Sequence, residues 1–525
     1  MSAGAGRTSL NAQRRAAELD ALASGRVVDV LVIGGGVTGT GIALDAAARG
    51  LSVALVEAND LAHGTSRWSS KLVHGGLRYL AKAEVGLAHE SAVERGILMT
   101  RTAPHLTRPL PQLIPLHREI SRGWAALTHA GLLAGDALRR VARTPKTLLP
   151  PPRKVSRQEC LALAPGLRIS GLRGGLLSFD GQLTDDARLV VALARTAAGH
   201  GASILTRTRV TEARGDAVLV RDTVSGATAQ LRARSVINAA GVWAGELVDS
   251  VRLRPSRGSH LVVDGRRLGL ATTALTVQAP GELNRYVIVL PQRDDGLVYI
   301  GLTDEPHDGP IPDNPTVPES EMDYLLGVAS SALETDLVRG DVLGSFAGLR
   351  PLLDTPGRSA DLSRRHAVVT APNGVITTVG GKLTTYRRMA QDTVDTAVRA
   401  AGLSASPSPT RNLPLVGAAS RRDLSTVDAP ERLIAKYGTE AAEVAALMLS
   451  DQKLAEPISQ DTPITGAEVV WAVRHEGAMD AEDVLHRRTR LGLIPSRAEA
   501  ARPTVTPLVE RTLATLSPAS HHHMP

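Results

Sequence analysis

Three glycines, Gly34, Gly36 and Gly39, stand in the stretch VDVLVIGGGVTGTGIALDAAARGLSVALVE, which Glu57 closes. This spacing suits a pyrophosphate. Gly34 permits a tight turn, Gly36 lets the backbone approach the phosphates, and Gly39 lets the next helix pack against the strand. The helix N-terminus adds N–H donors and positive potential. Glu57 can accept hydrogen bonds from ribose hydroxyls. A bare glycine triplet is a weak signal, but its setting strengthens it. A β-branched strand, Val27 to Ile33, precedes it, an Ala-rich helix is expected from Thr38 to Arg49, and a second strand is expected from Leu51 to Val56. Such a β-α-β unit opens a doubly wound α/β sheet, so a dinucleotide site is predicted.

The unit alone does not separate FAD from NAD. Three features favour FAD. The motif lies at the front of a long chain. VINAAGVWAGEL, from Val236, resembles the second glycine motif of flavoproteins, and the late TTVGGKLTTYR turn returns to the sheet.

Further motifs carry a family resemblance. The run Ser69-Ser70-Lys71-Leu72-Val73-His74-Gly75-Gly76-Leu77-Arg78-Tyr79 resembles the signature of the aerobic, membrane-associated, FAD-dependent glycerol-3-phosphate dehydrogenases. So do Asp185–Leu189 (DDARL), Arg257–His260 (RGSH), Gly348–Leu352 (GLRPL) and Gly380–Arg387 (GGKLTTYR). They stand in family order between about residues 28 and 395, and the helical tail is similar to the family's C-terminal domain. The resemblance implies an α/β fold: a glutathione-reductase-like, FAD-binding Rossmann domain, a mixed α+β substrate cap and a helical C-terminal domain. It implies oxidation of glycerol 3-phosphate at C2 to dihydroxyacetone phosphate, with electrons passing from FAD to membrane quinone. FAD is expected to be held non-covalently, and a homodimer is left open. A glycerol-3-phosphate oxidase that returns electrons to oxygen would carry the same substrate motifs, and a flavin-bound regulatory protein without turnover is the rival from another class.

The same resemblance assigns residues. On the cofactor it implies Ser66, Ser70, Lys71, His74, Gly76, Val210, Ala240, Gly241, Trp243, Gly348, Gly381, Lys382, Leu383 and Thr384, beside Gly34, Gly36, Gly39 and Glu57. A phosphate monoester carries nearly two negative charges and calls for Arg or Lys. Arg78, Arg350, Arg364 and Lys382, with Tyr79, are the matching positions. His260 and Arg350 are the catalytic candidates. A histidine can titrate near neutrality and take the C2 hydroxyl proton, whereas an arginine stays charged and would orient substrate. Arg387 reads equally as a ligand or as an ion-pair partner. Asp185 and Asp186, after Thr184, read as a helix cap.

These residues need elements to position them. The 525 residues suffice for two or three domains, with 43% hydrophobic and 22% charged side chains, ordinary for a globular protein. Residues 1–100 are expected to open the FAD domain, beginning with a helix over 10–24, and 101–175 to form a cap or membrane-facing helical segment. Residues 176–345 interleave FAD and cap segments, with strands expected at Ala233–Asn238, Leu261–Val263, Tyr286–Leu290 and Leu297–Ile300. Residues 346–401 close the FAD domain through a strand, Val375–Val379. A Pro/Ser-rich linker (402–427), a helical domain (428–515) and a disordered tail (516–525) with His521–His523 follow. In the helical domain, His475, Glu476 and the Arg487–Arg490 cluster are expected on polar faces. Pro104, Pro109, Pro111 and Pro115 are expected to break the chain into short pieces.

The single cysteine, Cys160, excludes an intrachain disulfide and fits a reducing compartment. No secretory leader is seen, and no run of eighteen apolar residues is free of charge. A cytoplasmic protein, peripheral on the inner face of the plasma membrane, is therefore expected. The net charge of +7 suits anionic partners. A basic helix from Arg118 to Arg143, with Trp124, Leu127, Leu132, Leu133 and Leu138 among its arginines, suits an anionic membrane surface, or else packs as an ordinary cap helix. No aromatic-interleaved basic patch points to nucleic acid, and no metal site is expected.

Overall fold

The computed structural model describes residues 5–76, 84–282, 285–354 and 365–516. Among them the strands form two sheets, of eight and ten strands. The first is built around parallel strands: Val53–Val56 and Thr228–Asn238 flank Val27–Ile33, and Ile376–Gly380 lies beyond Thr228–Asn238. Val27–Ile33 is β-branched along most of its length and buried on both faces over its second half, as a central parallel strand must be. The helix Val37–Ala48 covers the sheet and is buried along most of its length between the helices Asp186–Gly199 and Tyr386–Ala401. Gly41 makes that approach possible, because a Cβ there would lie 2.9 Å from the Tyr386 ring.

The second sheet is mixed. Ser256–Asp264 pairs antiparallel with both Leu297–Gly301 and Val342–Arg350. Thr107–Pro115 pairs along its whole length with Gly174–Leu183. Pro109, Pro111 and Pro115, expected as breaks, therefore fall inside one strand, and only Pro104 lies in a turn before it. Pro109 and Pro111 are two residues apart, so both missing N–H groups lie on one edge, and the other edge keeps its ladder. The basic helix runs over Arg122–Val141. Its inner face packs Leu132 against Ile114 and Leu176, and Leu138 against Leu87. Its outer face leaves Leu127 74% exposed, with Leu133 and Val141 also exposed.

The Pro/Ser-rich segment expected as a linker is tied down. Leu403 and Leu415 are buried in the FAD-domain core, Thr410 Oγ1 donates to Asp45 at 3.1 Å, and a short helix forms at Arg421–Leu424. Five helices of the C-terminal unit, from Glu431–Tyr437 to Pro495–Leu516, follow. The residues expected on its polar faces are mostly buried. Arg488 reaches Asp60 through both terminal guanidinium nitrogens at 2.9 Å, and Arg487 reaches it at 2.7 Å. Glu476 pairs with Arg188, and Arg195 with Glu440 at 2.6 Å. The sequence pattern correctly marks these faces as polar, but their partners are charges on the FAD domain rather than water. Burial alone would push the Asp60 carboxyl up, yet Arg488 and Arg487 hold it at about 2. Arg188 holds Glu476 at about 2 in the same way, against its burial. Among the described residues no helix is long and apolar enough to cross a membrane. The tail from residue 517, with His521–His523, lies outside the described residues.

Candidate active site

The parallel strands end on one side of the sheet, and the glycine motifs sit at those carboxyl ends, where open α/β sheets bind ligands. Gly34 follows Ile33, whose register partners are Asn238 and Val56. Its φ is +109°, and a Cβ there would lie 2.5 Å from the Ala239 carbonyl oxygen. A Cβ on Gly39 would lie 1.9 Å from the Gly34 oxygen. Gly36 caps the helix without a side chain, and Ser66 Oγ accepts from the Val37 N–H at 2.9 Å. Glu57 accepts backbone N–H groups from Gly35 (2.6 Å) and Asn59 (2.8 Å). A carboxylate has about four lone-pair sites, so capacity remains for ribose hydroxyls. Burial pushes its carboxyl up, against those two donors.

The other cofactor candidates fall on several segments of the two sheets. Ala240 N–H donates to Asn238 Oδ1 at 3.1 Å, Gly241 has a φ of +59°, and the Trp243 ring packs over Gly64. Val210 lies on the strand Thr208–Arg214 against the apolar core that includes Val28 and Leu31. Gly380 and Gly381 both adopt positive φ, and a Cβ on Gly381 would meet the Met389 sulfur at 2.4 Å. The turn Leu383–Thr385 follows, and Thr384 Oγ1 accepts from the His74 N–H at 3.3 Å. That bond joins the closing turn to the Ser69–Gly76 segment, where Gly76 has a φ of +74°. Gly348 backs onto Trp68, with room for a Cβ only at 3.0 Å.

His260 and Arg350 come together because their strands are paired, Ser256 opposite Arg350 and His260 opposite Phe346. His260 is fully buried, stacks on Phe346 (4.6 Å, 8°) and shares a 2.8 Å hydrogen bond between Nε2 and Ser70 Oγ. Burial, the Lys71 ammonium and the Arg350 guanidinium hold it down at about 3, so the ring is neutral at physiological pH. Gly301 makes room for that ring, since a Cβ there would lie 2.3 Å from it. Arg350 donates to Ser256 Oγ, Asp304 Oδ1 and the Thr303 carbonyl, each at 3.2 Å. Its guanidinium lies over Gly258, where a Cβ would meet it at 2.3 Å. Lys382 Nζ donates to Ser91 Oγ at 2.5 Å.

Several placements depart from expectation. The Ser70 hydroxyl shares a hydrogen bond with His260 Nε2, a partner the sequence did not suggest. Lys71 points its ammonium into a buried pair with Asp186 (2.8 Å) and onto the Arg67 carbonyl (2.7 Å). Asp185 caps the helix by accepting from the Arg188 N–H, as expected, but Asp186 does more than cap. Arg387 resolves as an ion-pair partner, forked onto buried Glu94 at 2.6 and 2.7 Å. Arg78, Tyr79 and Arg364 lie outside the described residues. Sequence reasoning missed Phe346 and Asp304. Phe346 carries a faint signal, being one of two phenylalanines in the chain and four residues before Arg350; Asp304 carries none.

Comparison with known proteins decides the family. Residues 29–387 match the model of the FAD dependent oxidoreductases, and residues 408–515 match the C-terminal domain of alpha-glycerophosphate oxidase. The chain belongs to the FAD-dependent oxidoreductase family. The chain is 54% identical over 498 residues to glycerol-3-phosphate dehydrogenase 1 of Mycobacterium tuberculosis, covering 93% of this chain and 96% of that one. Glycerol-3-phosphate dehydrogenase 2 of the same organism is 39% identical over 492 residues, 89% and 81% of the two chains. The glycerol-3-phosphate dehydrogenase of Bacillus halodurans, solved with FAD, superposes with a TM-score of 0.72 at 27% identity, covering 96% of this chain and 97% of that one. The family's cofactor is FAD, and this chain fits it. The turn from Gly34 to Gly39 keeps its backbone bare where a Cβ would collide, and Glu57 offers a ribose acceptor at the end of the next strand.

Proposed function

We propose that this protein oxidises sn-glycerol 3-phosphate at C2 to dihydroxyacetone phosphate and passes the electrons to membrane quinone. The observation that carries the reading is the pairing of a neutral, buried His260 with a fixed Arg350 on neighbouring strands. Relatives named glycerol-3-phosphate dehydrogenase, similar over nearly the whole chain, support the substrate.

The residues divide the work by charge. Arg350 is held by Asp304, Ser256 and Thr303, so it meets an anionic or developing negative oxygen without reorganising. Lys382 adds a second cation, and Arg78, Tyr79 and Arg364 complete the phosphate set. His260, neutral, accepts the C2 hydroxyl proton, directly or through the Ser70 hydroxyl on its Nε2. Bound FAD supplies the hydride acceptor and, afterwards, the source of electrons for the quinone.

The exposed outer face of Arg122–Val141, with Leu127, Leu133 and Val141 beside Arg140, supports peripheral contact with the anionic inner face of the plasma membrane. The match of residues 408–515 to an oxidase domain favours a second reading, with oxygen as acceptor. Anaerobic addition of sn-glycerol 3-phosphate to the yellow protein should bleach the flavin band, while glycerol and lactate leave it unchanged. A band that stays oxidised would refute the substrate. Oxygen uptake without added quinone then separates oxidase from dehydrogenase.

A further inference from the structure

The turn Arg490–Ile494 of the C-terminal unit reaches the back of the catalytic pocket in two ways. Leu493 and Ile494 share one buried apolar cluster with Phe346, Tyr299 and Val262, and Trp68 packs against it. Leu493 comes so close to the strand Val342–Arg350 that a Cβ on Gly344 would lie 2.0 Å from the Leu493 carbonyl oxygen. Phe346, the ring under His260, is further held by Trp68 (5.9 Å) and edge-on by Tyr299 (5.5 Å).

The second contact is polar. Arg490 takes a left-handed backbone conformation, φ 62°, unusual for a residue with a long side chain. Its half-buried guanidinium lies 3.6 Å from the Asp185 carboxylate and 3.5 Å from Asp295. Asp185 starts the helix Asp186–Gly199, and the next residue, Asp186, accepts from Lys71 Nζ (2.8 Å) and the Ser69 N–H (2.9 Å). Ser70, between those two residues, holds His260. The face of the imidazole and its Nε2 edge therefore both rest on parts braced by residues 490–494.

We propose, resting on the catalytic reading of His260 above, that the Arg490–Ile494 turn is a positioning element of the active site. Leu493 and Ile494 set Phe346, Arg490 sets the helix start that grips Ser69 and Lys71, and together they set His260. The C-terminal unit is then a working part of catalysis rather than an appended domain.

The test uses the full-length, FAD-loaded protein with Arg490→Met and Leu493→Ala, the milder Arg490→Lys and Leu493→Val, and Val444→Ala as control. Val444 is buried in a separate cluster of the C-terminal unit that holds no residue of the 490–494 turn. Two readouts are compared: the ¹⁵N resonances of His260, assigned by their loss in His260→Asn, and the limiting rate of anaerobic flavin reduction. Arg490→Met and Leu493→Ala should shift the His260 resonances and lower the limiting rate about 10- to 100-fold, with half-saturation changed less than about threefold. The milder variants should recover most of the rate. Val444→Ala should lower Tm and leave both readouts in place. The proposal is overturned if the Arg490→Met and Leu493→Ala variants behave like Val444→Ala, losing Tm while His260 and the limiting rate stay unchanged. If glycerol 3-phosphate does not reduce the wild type, the substrate reading falls, and the His260 resonances still decide the positioning.

Discussion

The nucleotide cradle and the catalytic wall are built from opposite materials. The cradle is nearly bare backbone: Gly34 and Gly39 leave no room for a Cβ, Gly36 leaves the helix start without a side chain, and Glu57 accepts the Gly35 N–H at the end of the next strand. The wall is made of side chains: His260 between Phe346 and Ser70, Arg350 on Asp304, and Lys71 on Asp186. The first is constrained above all by volume. The second tolerates small changes of volume but depends on where each charge and hydrogen bond lies.

The largest expected effect tests the cradle by volume. Gly39→Ala puts a methyl into the Gly34 carbonyl, an overlap that costs about 1–3 kcal/mol or more wherever the backbone must shift. The protein should purify without its flavin band, read as the ratio of visible to ultraviolet absorbance. A fully yellow Gly39→Ala protein would break the contrast. Next in size, His260→Asn removes the base but keeps similar volume. Flavin content should stay normal, while reduction by glycerol 3-phosphate slows about 10²- to 10⁴-fold in stopped flow.

A third prediction concerns the seam that joins the C-terminal unit to the FAD domain. Glu476→Gln leaves Arg188 with no carboxylate in a buried site, which costs about 3–5 kcal/mol. The pH dependence has a definite sign. Folding depresses the Glu476 carboxyl from 4.5 to about 2, so its contribution is full above pH 4.5 and is lost as pH falls toward 2. Melting curves across that window should show a steeper fall of Tm in the wild type than in Glu476→Gln. The smallest effect belongs to a surface outside both regions. Leu127→Glu should change stability by less than about 0.5 kcal/mol. Binding to anionic vesicles, followed by flotation, should weaken clearly; unchanged binding would remove the 122–141 helix from the membrane reading.

The cradle was legible because its constraints are local. A glycine spacing, a β-branched strand and an acid one strand later determine the turn without reference to distant residues. His260 and Arg350 could be named from their motifs, but their meeting depends on strand pairing, and Phe346 enters only through that pairing. Glu476, Arg487 and Arg488 read as solvent-facing because a helical pattern marks a face as polar without saying whether water or another domain's charge lies opposite. Leu403 and Leu415 were hidden in a Pro/Ser-rich stretch for a related reason: a segment without regular structure can still be anchored by two buried side chains and a hydroxyl on Asp45.

The order of strands in the parallel sheet also sets a timetable for synthesis. Val27–Ile33 pairs with Thr228–Asn238, and that strand waits for Ile376–Gly380. At translation rates of about 5–20 residues per second, residue 376 leaves the ribosome some 20–75 s after the first. Ala217–Asp222 already covers Thr228–Arg232, so until then the nascent chain carries an open edge only toward the Asn238 end of that strand, and it lacks the Gly380–Gly381 turn. Stable loading of the dinucleotide must therefore come late. The Leu10 backbone, which bonds to His475 and Gly477, finds its partners later still.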